Sequence, residues 1–79
     1  MTRFFFDTDD GVLSFQDSEG LILSDDQAAE KVAIATVASI ACDHFRSGAG
    51  ESVSISVRDE TKLIFEAEVL LKARRFAER

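Results

Sequence analysis

Four aspartates crowd the first quarter of the chain: Asp7, Asp9 and Asp10 within FFFDTDDG, then Asp17 after the next turn. Carboxylates spaced in this way can do two kinds of chemistry. Alternate ones at the end of an apolar strand can divide nucleophilic attack and proton transfer between them while a divalent ion neutralises a phosphoryl group. Oxygens strung along a turn can instead wrap a hard cation. The other reactive groups are one cysteine, Cys42, and one histidine, His44. Two residues apart on a helix, they stand about 200° around its axis and form no dyad within one chain.

Both carboxylate readings meet obstacles. FFFDTDDGVL resembles the signature of haloacid-dehalogenase-type phosphatases, an apolar strand ending in Asp-x-Asp-Gly-Thr. That resemblance would make Asp7 the nucleophile and Asp9 the proton carrier. Asp10, however, intrudes before Gly11, and Val12 takes the threonine place. The doubly wound phosphatase fold, with its downstream lysine and later carboxylates, is also far longer than 79 residues. A calcium loop beginning at Asp7 needs glycine at its sixth position and glutamate at its twelfth, where Val12 and Ser18 stand. A looser cation site from Asp7, Asp9, Asp10 and Asp17 stays open, against the plain alternative of a solvated acidic turn. There is no glycine-rich phosphate loop, no nucleophile elbow, and no tyrosine or tryptophan for a stacking platform. The chain reads as non-enzymatic, with no cofactor implied.

Size and charge narrow the partners. Seventy-nine residues make one small domain, spanning 1–79, at a length where a staple or a second subunit usually supports the core. A lone cysteine offers no internal disulfide, and there is no Cys/His cluster for zinc. Hydrophobic residues at 46% and charged residues at 30% are a folding composition despite a net charge of −6. No apolar run approaches a membrane span and the first residues lack a signal-peptide pattern, so a soluble cytoplasmic protein is expected, without membrane contact. Eight acids against the single base Arg3 in residues 1–30 repel a phosphate backbone. Only residues 72–79 are basic, with Lys72, Arg74, Arg75 and Arg79 against Glu78. Nucleic acid is therefore not an expected partner.

The elements that must position these groups follow from hydrophobic periodicity. RFFFD at 3–7 is a strand with Phe4 and Phe6 on one face and Phe5 on the other. Asp9, Asp10 and Gly11 turn the chain, and Val12–Gln16 returns as a second strand. A turn at 17–20 and the apolar run Leu21–Leu23 lead to a helix from about Asp25 to Arg46. Ser24 and Gln27 are spaced as a capping box, and Ser47, Gly48, Ala49 and Gly50 form the stop. Ser52–Arg58 alternates Val53, Ile55 and Val57 against Ser54, Ser56 and Arg58. Leu63 to about Leu71 sets Leu63, Phe65, Ala67, Val69 and Leu71 against Ile64, Glu66, Glu68 and Leu70. The order ββαββ predicts an α+β domain, a four-stranded and mostly antiparallel sheet with one long helix packed on one face.

That architecture leaves one sheet face bare, with Phe5, Ile64 and Leu70 among polar neighbours. The helix is charge-free from Val32 to Cys42. Ala29, Ala33, Val37, Ile40 and Ala41 form its apolar arc, extending to Ile34 and Phe45, and Ala35, Ala38, Ser39 and Cys42 form a flank of small residues. That flank is either tolerated by water or fitted for close approach of a second helix. Candidate interface residues are Phe5, Ile64, Leu70, Ala35, Ala38 and Cys42.

Taken together, RFFFDTDDG at 3–11, DSEGLILSDDQAA at 17–29 and SVSISVRDE at 52–60 resemble a family of small uncharacterised proteins common in rhizobia and related alphaproteobacteria. Its pattern joins an aromatic FF-D…D-G strand, a D-x-E-G-x-E-L-P-D turn with an alanine-rich helix, and an I-x-V-R-D-E hairpin. The resemblance runs from residue 2 to about 70. It departs at Ile22, where an acidic residue is usual, and at Ser24, where proline is usual. It implies the fold and no activity; the recurring positions Asp7, Gly11, Asp17, Glu19, Gly20, Arg58 and Asp59 lie mostly at turns. The expectation is a self-associating, homodimeric interaction module, with an acidic edge for a cation or a basic protein as the alternative.

Overall fold

The computed structural model describes residues 1–48 and 50–77. The elements run β1 (Thr2–Asp9), β2 (Ser14–Phe15), β3 (Leu21–Leu23), α1 (Asp26–Arg46), β4 (Ser52–Arg58) and β5 (Leu63–Leu70). The sheet order is β2-β1-β4-β5, with β3 also on β1, and every pairing is antiparallel. This is the α+β arrangement expected from ββαββ, with the second strand broken in two. Thr2–Phe4 pairs with Leu23–Leu21, and Thr8–Asp9 with Phe15–Ser14. From Phe15 to Leu21 the chain takes six steps where β1 takes four between Thr8 and Phe4, so the surplus loops out at 16–20. Val12 and Leu13, expected to begin the return strand, stay exposed outside it, and Leu21–Leu23 is a strand in its own right.

The alternation of side chains builds the core. Phe4 of β1 and Val53, Ile55 and Val57 of β4 are fully buried beneath α1. The helix answers with Ala29, Ala33, Val37 and Ala41, a stripe at every fourth residue. Three of the four are alanine, which lets the helix axis lie close on the sheet. Phe6, Ile40, Phe45, Phe65, Ala67 and Val69 close the rim half-buried. Ile34, expected to extend the buried arc, is 51% exposed instead. It lies one residue past Ala33, turned away from the stripe.

Two boundaries differ in detail from expectation. The N-cap is Asp25 rather than Ser24: its carboxylate accepts the Ala28 N–H at 2.9 Å, so the cap sits one residue later than the capping-box spacing placed it. At the other end Ser47 caps the helix and Gly48 turns with φ +80°; Ala49, expected as part of the stop, lies outside the described residues. In β5 the ladder slips at Val57/Arg58, because Val57 faces Phe65 while Arg58 faces Leu63. Ile64 is the extra residue of this bulge. It packs against the core cluster instead of standing on the bare face, while Leu63 is left 56% exposed.

From Leu71 to Ala77 the chain continues without regular structure. Leu71 N–H still bonds Glu51 O at 2.8 Å, one further step of the β4–β5 ladder. Lys72, Arg74 and Arg75 are exposed beyond it, and the Arg74 guanidinium lies 5.8 Å from the Phe76 ring. Glu78 and Arg79 of the basic tail lie outside the described residues. The molecule measures 58 × 22 × 18 Å with a radius of gyration of 14.9 Å. A compact chain of this length has about 12 Å.

A structural acidic knot as the candidate functional site

Three backbone segments meet on the sheet face away from the helix: the middle of β1, the loop 16–20, and the end of β4. Between the stretches paired with β3 and β2, β1 has no strand neighbour on that edge at Phe6, and the Asp17 side chain takes that place. Its Oδ2 accepts the Phe6 N–H at 3.1 Å, and its Oδ1 accepts those of Glu19 at 3.1 Å and Gly20 at 3.2 Å. One carboxylate therefore serves three backbone donors that the split strand would otherwise leave unpaired. Partial burial opposes its charge, but the amides of Gly20, Phe6 and Glu19, with the Arg58 charge, outweigh this and hold Asp17 below the ordinary aspartate range.

Asp7 completes the knot. Its Oδ1 accepts the Asp17 N–H at 2.9 Å, and Arg58 Nε donates to its Oδ2 at 2.8 Å. A second Arg58 nitrogen donates to the Asp17 carbonyl at 2.8 Å. The hydrogen bond it donates to Asp7 and the two aspartate charges make the guanidinium hold its proton more firmly than usual. Its Cζ lies over the Phe5 ring, 4.6 Å from the ring centre. Phe5 on the bare face is thus half-covered by its own cross-strand neighbour.

The remaining aspartates close their own turns. Asp9 Oδ1 accepts the Gly11 N–H at 2.7 Å and its Oδ2 the Ser14 hydroxyl at 3.0 Å. Asp10 Oδ1 accepts the amides of Val12 and Leu13 at 2.9 and 2.8 Å; hydrogen bonds from Leu13 and Val12 lower its pKa, and His44 adds to this. Asp59 does the same in the β4–β5 turn, where the amides of Thr61 and Lys62 and the Thr61 hydroxyl lower its pKa. The four candidate ligands Asp7, Asp9, Asp10 and Asp17 are all committed to protein donors. Among the described residues no group of three or more His, Cys, Asp or Glu is placed to hold a metal ion.

The helix candidates are dispersed. Ala35 and Ala38 are exposed, and Ala35 lines a shallow depression of about 460 Å³ with Glu30, Lys31, Ile34 and Phe65. Cys42 is an exposed free thiol, with a nitrogen of Arg46 3.4 Å from its sulfur. Leu70 stands 61% exposed at the end of β5. His44 turns inward, away from Cys42 as the helix angle required. Its side chain is 10% exposed, Nδ1 lies 3.9 Å from Asp10 Oδ2, and Nε2 has no hydrogen-bond partner among the described residues. The sequence reading missed this meeting of helix end and acidic turn, because it joins residues 34 positions apart with no shared motif.

Fold and site together define a small α+β domain in which acidic residues splice a broken strand into a sheet. The chain belongs to the family described as Domain of unknown function (DUF6894), whose model matches residues 3–71. The matched span takes in the whole knot, Asp7, Asp17 and Arg58 included. No curated protein and no solved structure matches the chain. No helix is long and apolar enough to cross a membrane among the described residues.

Proposed function

We propose that the protein is a non-enzymatic interaction module that self-associates as a homodimer. One observation carries the reading: a line of large apolar side chains runs along β5 and its continuation. Leu63 is 56% exposed, Leu70 61%, Leu71 44% and Phe76 84%. They flank a strand whose outer edge has no neighbour in the sheet order among the described residues. An open edge beside exposed apolar groups invites pairing with another chain, and a core of eight buried side chains, three of them alanine, benefits from a second subunit. The aspartates support a non-enzymatic role, since a carboxylate saturated with backbone donors is a poor nucleophile or base. Light scattering or sedimentation near 100 µM tests the reading, with twice the 8.7 kDa chain mass as the expected result. A single-chain mass up to several hundred micromolar would remove it.

A basic protein partner is the second reading. Residues 1–71 carry fourteen acids against five bases, a net charge of −9. Such a surface steers cationic partners. Titration with a polylysine peptide that left every amide resonance unmoved would exclude it.

A further inference from the structure

The acid excess of the body and the basic tail belong to one extended line of chain, and their spacing has a consequence for dimerisation. Leu71 N–H bonds Glu51 O across the β4–β5 ladder. In an antiparallel ladder backbone groups alternate between the two edges, so odd residues from Phe65 to Leu71 turn theirs towards β4. The even residues Glu66, Glu68 and Leu70 turn theirs to the open edge, and their side chains stand exposed on the face away from the helix. Continued as a strand, the tail places Lys72 and Arg74 in the same even series.

We propose that two copies pair antiparallel along β5 about a two-fold axis through Leu70, each basic tail extending along the open β5 edge of its partner. This rests on the self-association reading above and supplies its surface and register. The choice of register is electrostatic. With the axis at Leu70, Glu68 faces Lys72 of the second copy and Glu66 faces Arg74, and symmetry doubles both pairs. With the axis at Glu68, the two Glu68 carboxylates face each other. At Val69, Glu66 faces Lys72 but Glu68 faces Leu70 and Arg74 faces Ile64; at Leu71, Glu68 faces Arg74 but Lys72 faces Leu70 and Glu66 faces Phe76. Only the Leu70 register opposes both glutamates to bases, and directly opposed charges are the pairs a sheet rewards or penalises. It also sets Leu70 against its own copy, covering a side chain that is 61% exposed in the single chain. The product is one continuous sheet, β2-β1-β4-β5 and its mirror order, with both helices on one face.

Sedimentation of the full chain, of E66K/E68K, of K72E/R74E, and of the four-residue exchange combining them tests the charges, with helical circular dichroism confirming that each variant is folded. Oxidation of Leu70→Cys in a Cys42→Ser background tests the axis. A hydrogen-bonded antiparallel pair holds its Cα atoms about 5.5 Å apart, within disulfide reach. Glu66→Cys serves as control, its two copies lying roughly 27 Å apart in this register. Either double reversal is expected to weaken the dimer about a hundredfold, and the combined exchange to restore it. Leu70→Cys is expected to cross-link almost fully and Glu66→Cys hardly at all. A wild-type chain that stays monomeric removes both this inference and the self-association reading. A wild-type dimer that survives K72E/R74E, or whose Leu70→Cys form does not cross-link, leaves self-association standing and overturns the Leu70 register.

Discussion

Asp17 is the residue on which the split strand depends. Replacing it with alanine strips three backbone N–H groups of their acceptor at once, in a partly buried place. Asp17→Ala is expected to lower unfolding free energy by about 2 kcal/mol at pH 7, read from chemical denaturation. The pH dependence has a definite sign. Asp10, Asp17 and Asp59 all have folded pKa values below the ordinary 3.8, so their contribution is complete above that value and is lost as pH falls through the lowered ones. Acid unfolding should therefore set in below about pH 4, and in Asp17→Asn its pH dependence should be shallower. Two glycines give a contrast at the same scale. Gly20 has φ +75°, and a Cβ there would lie 2.8 Å from Arg3 Cγ and 2.9 Å from the Phe4 carbonyl oxygen. Gly11 has φ +90° with nothing within 4 Å. Gly11→Ala should cost about 1 kcal/mol of backbone strain, and Gly20→Ala more than about 2. Equal costs would mean that the loop 16–20 does not press against β1.

At the scale of elements, the helix rests on alanines, and its tolerance is set by them. Ala33→Leu adds three carbons to a site with no exposed surface and should destabilise by about 1–3 kcal/mol, whereas the same change at exposed Ala38 should be within about 0.5. Asp25→Ala removes the cap and should cost about 1 kcal/mol; the same change at Ser24 should cost less, which distinguishes the two cap positions. Elements with strong periodicity were legible in the sequence: the β4 alternation of Val53, Ile55 and Val57, the helix span, and Phe4 beneath it. What escaped were features set by long-range pairing. The break of the second strand comes from a two-residue surplus against β1, which no local pattern records. Ile64 entered the core through a bulge, and a single slip of register moves a side chain to the other face. The acidic cluster was visible as composition, but its role depends on Arg58, 51 positions beyond Asp7. Carboxylates spaced for chemistry and carboxylates spaced for turn closure look alike until their donors are known.

For the whole molecule, the distribution of charge matters more than its total. A net charge of −6 conceals a body at −9 joined to a tail in which Lys72, Arg74, Arg75 and Arg79 outnumber Glu78. Within one chain the described tail projects beyond the sheet, and the guanidinium of Arg74 lies by Phe76 rather than by a body carboxylate. In the proposed dimer a second chain would resolve this separation, and dimerisation would then be part of folding stability. When association and folding are linked, the melting temperature rises with protein concentration, since mass action favours the assembled state. A hundredfold increase in concentration is expected to raise it by roughly 5 °C in low salt. In 1 M salt, where screening acts within about 3 Å, the rise should shrink but persist in part, because Leu70, Leu71 and Phe76 supply an apolar contribution that salt does not weaken. K72E/R74E should melt at one temperature throughout the same range. A wild-type melting temperature independent of concentration would instead leave the acidic body facing solvent or a basic partner of another kind.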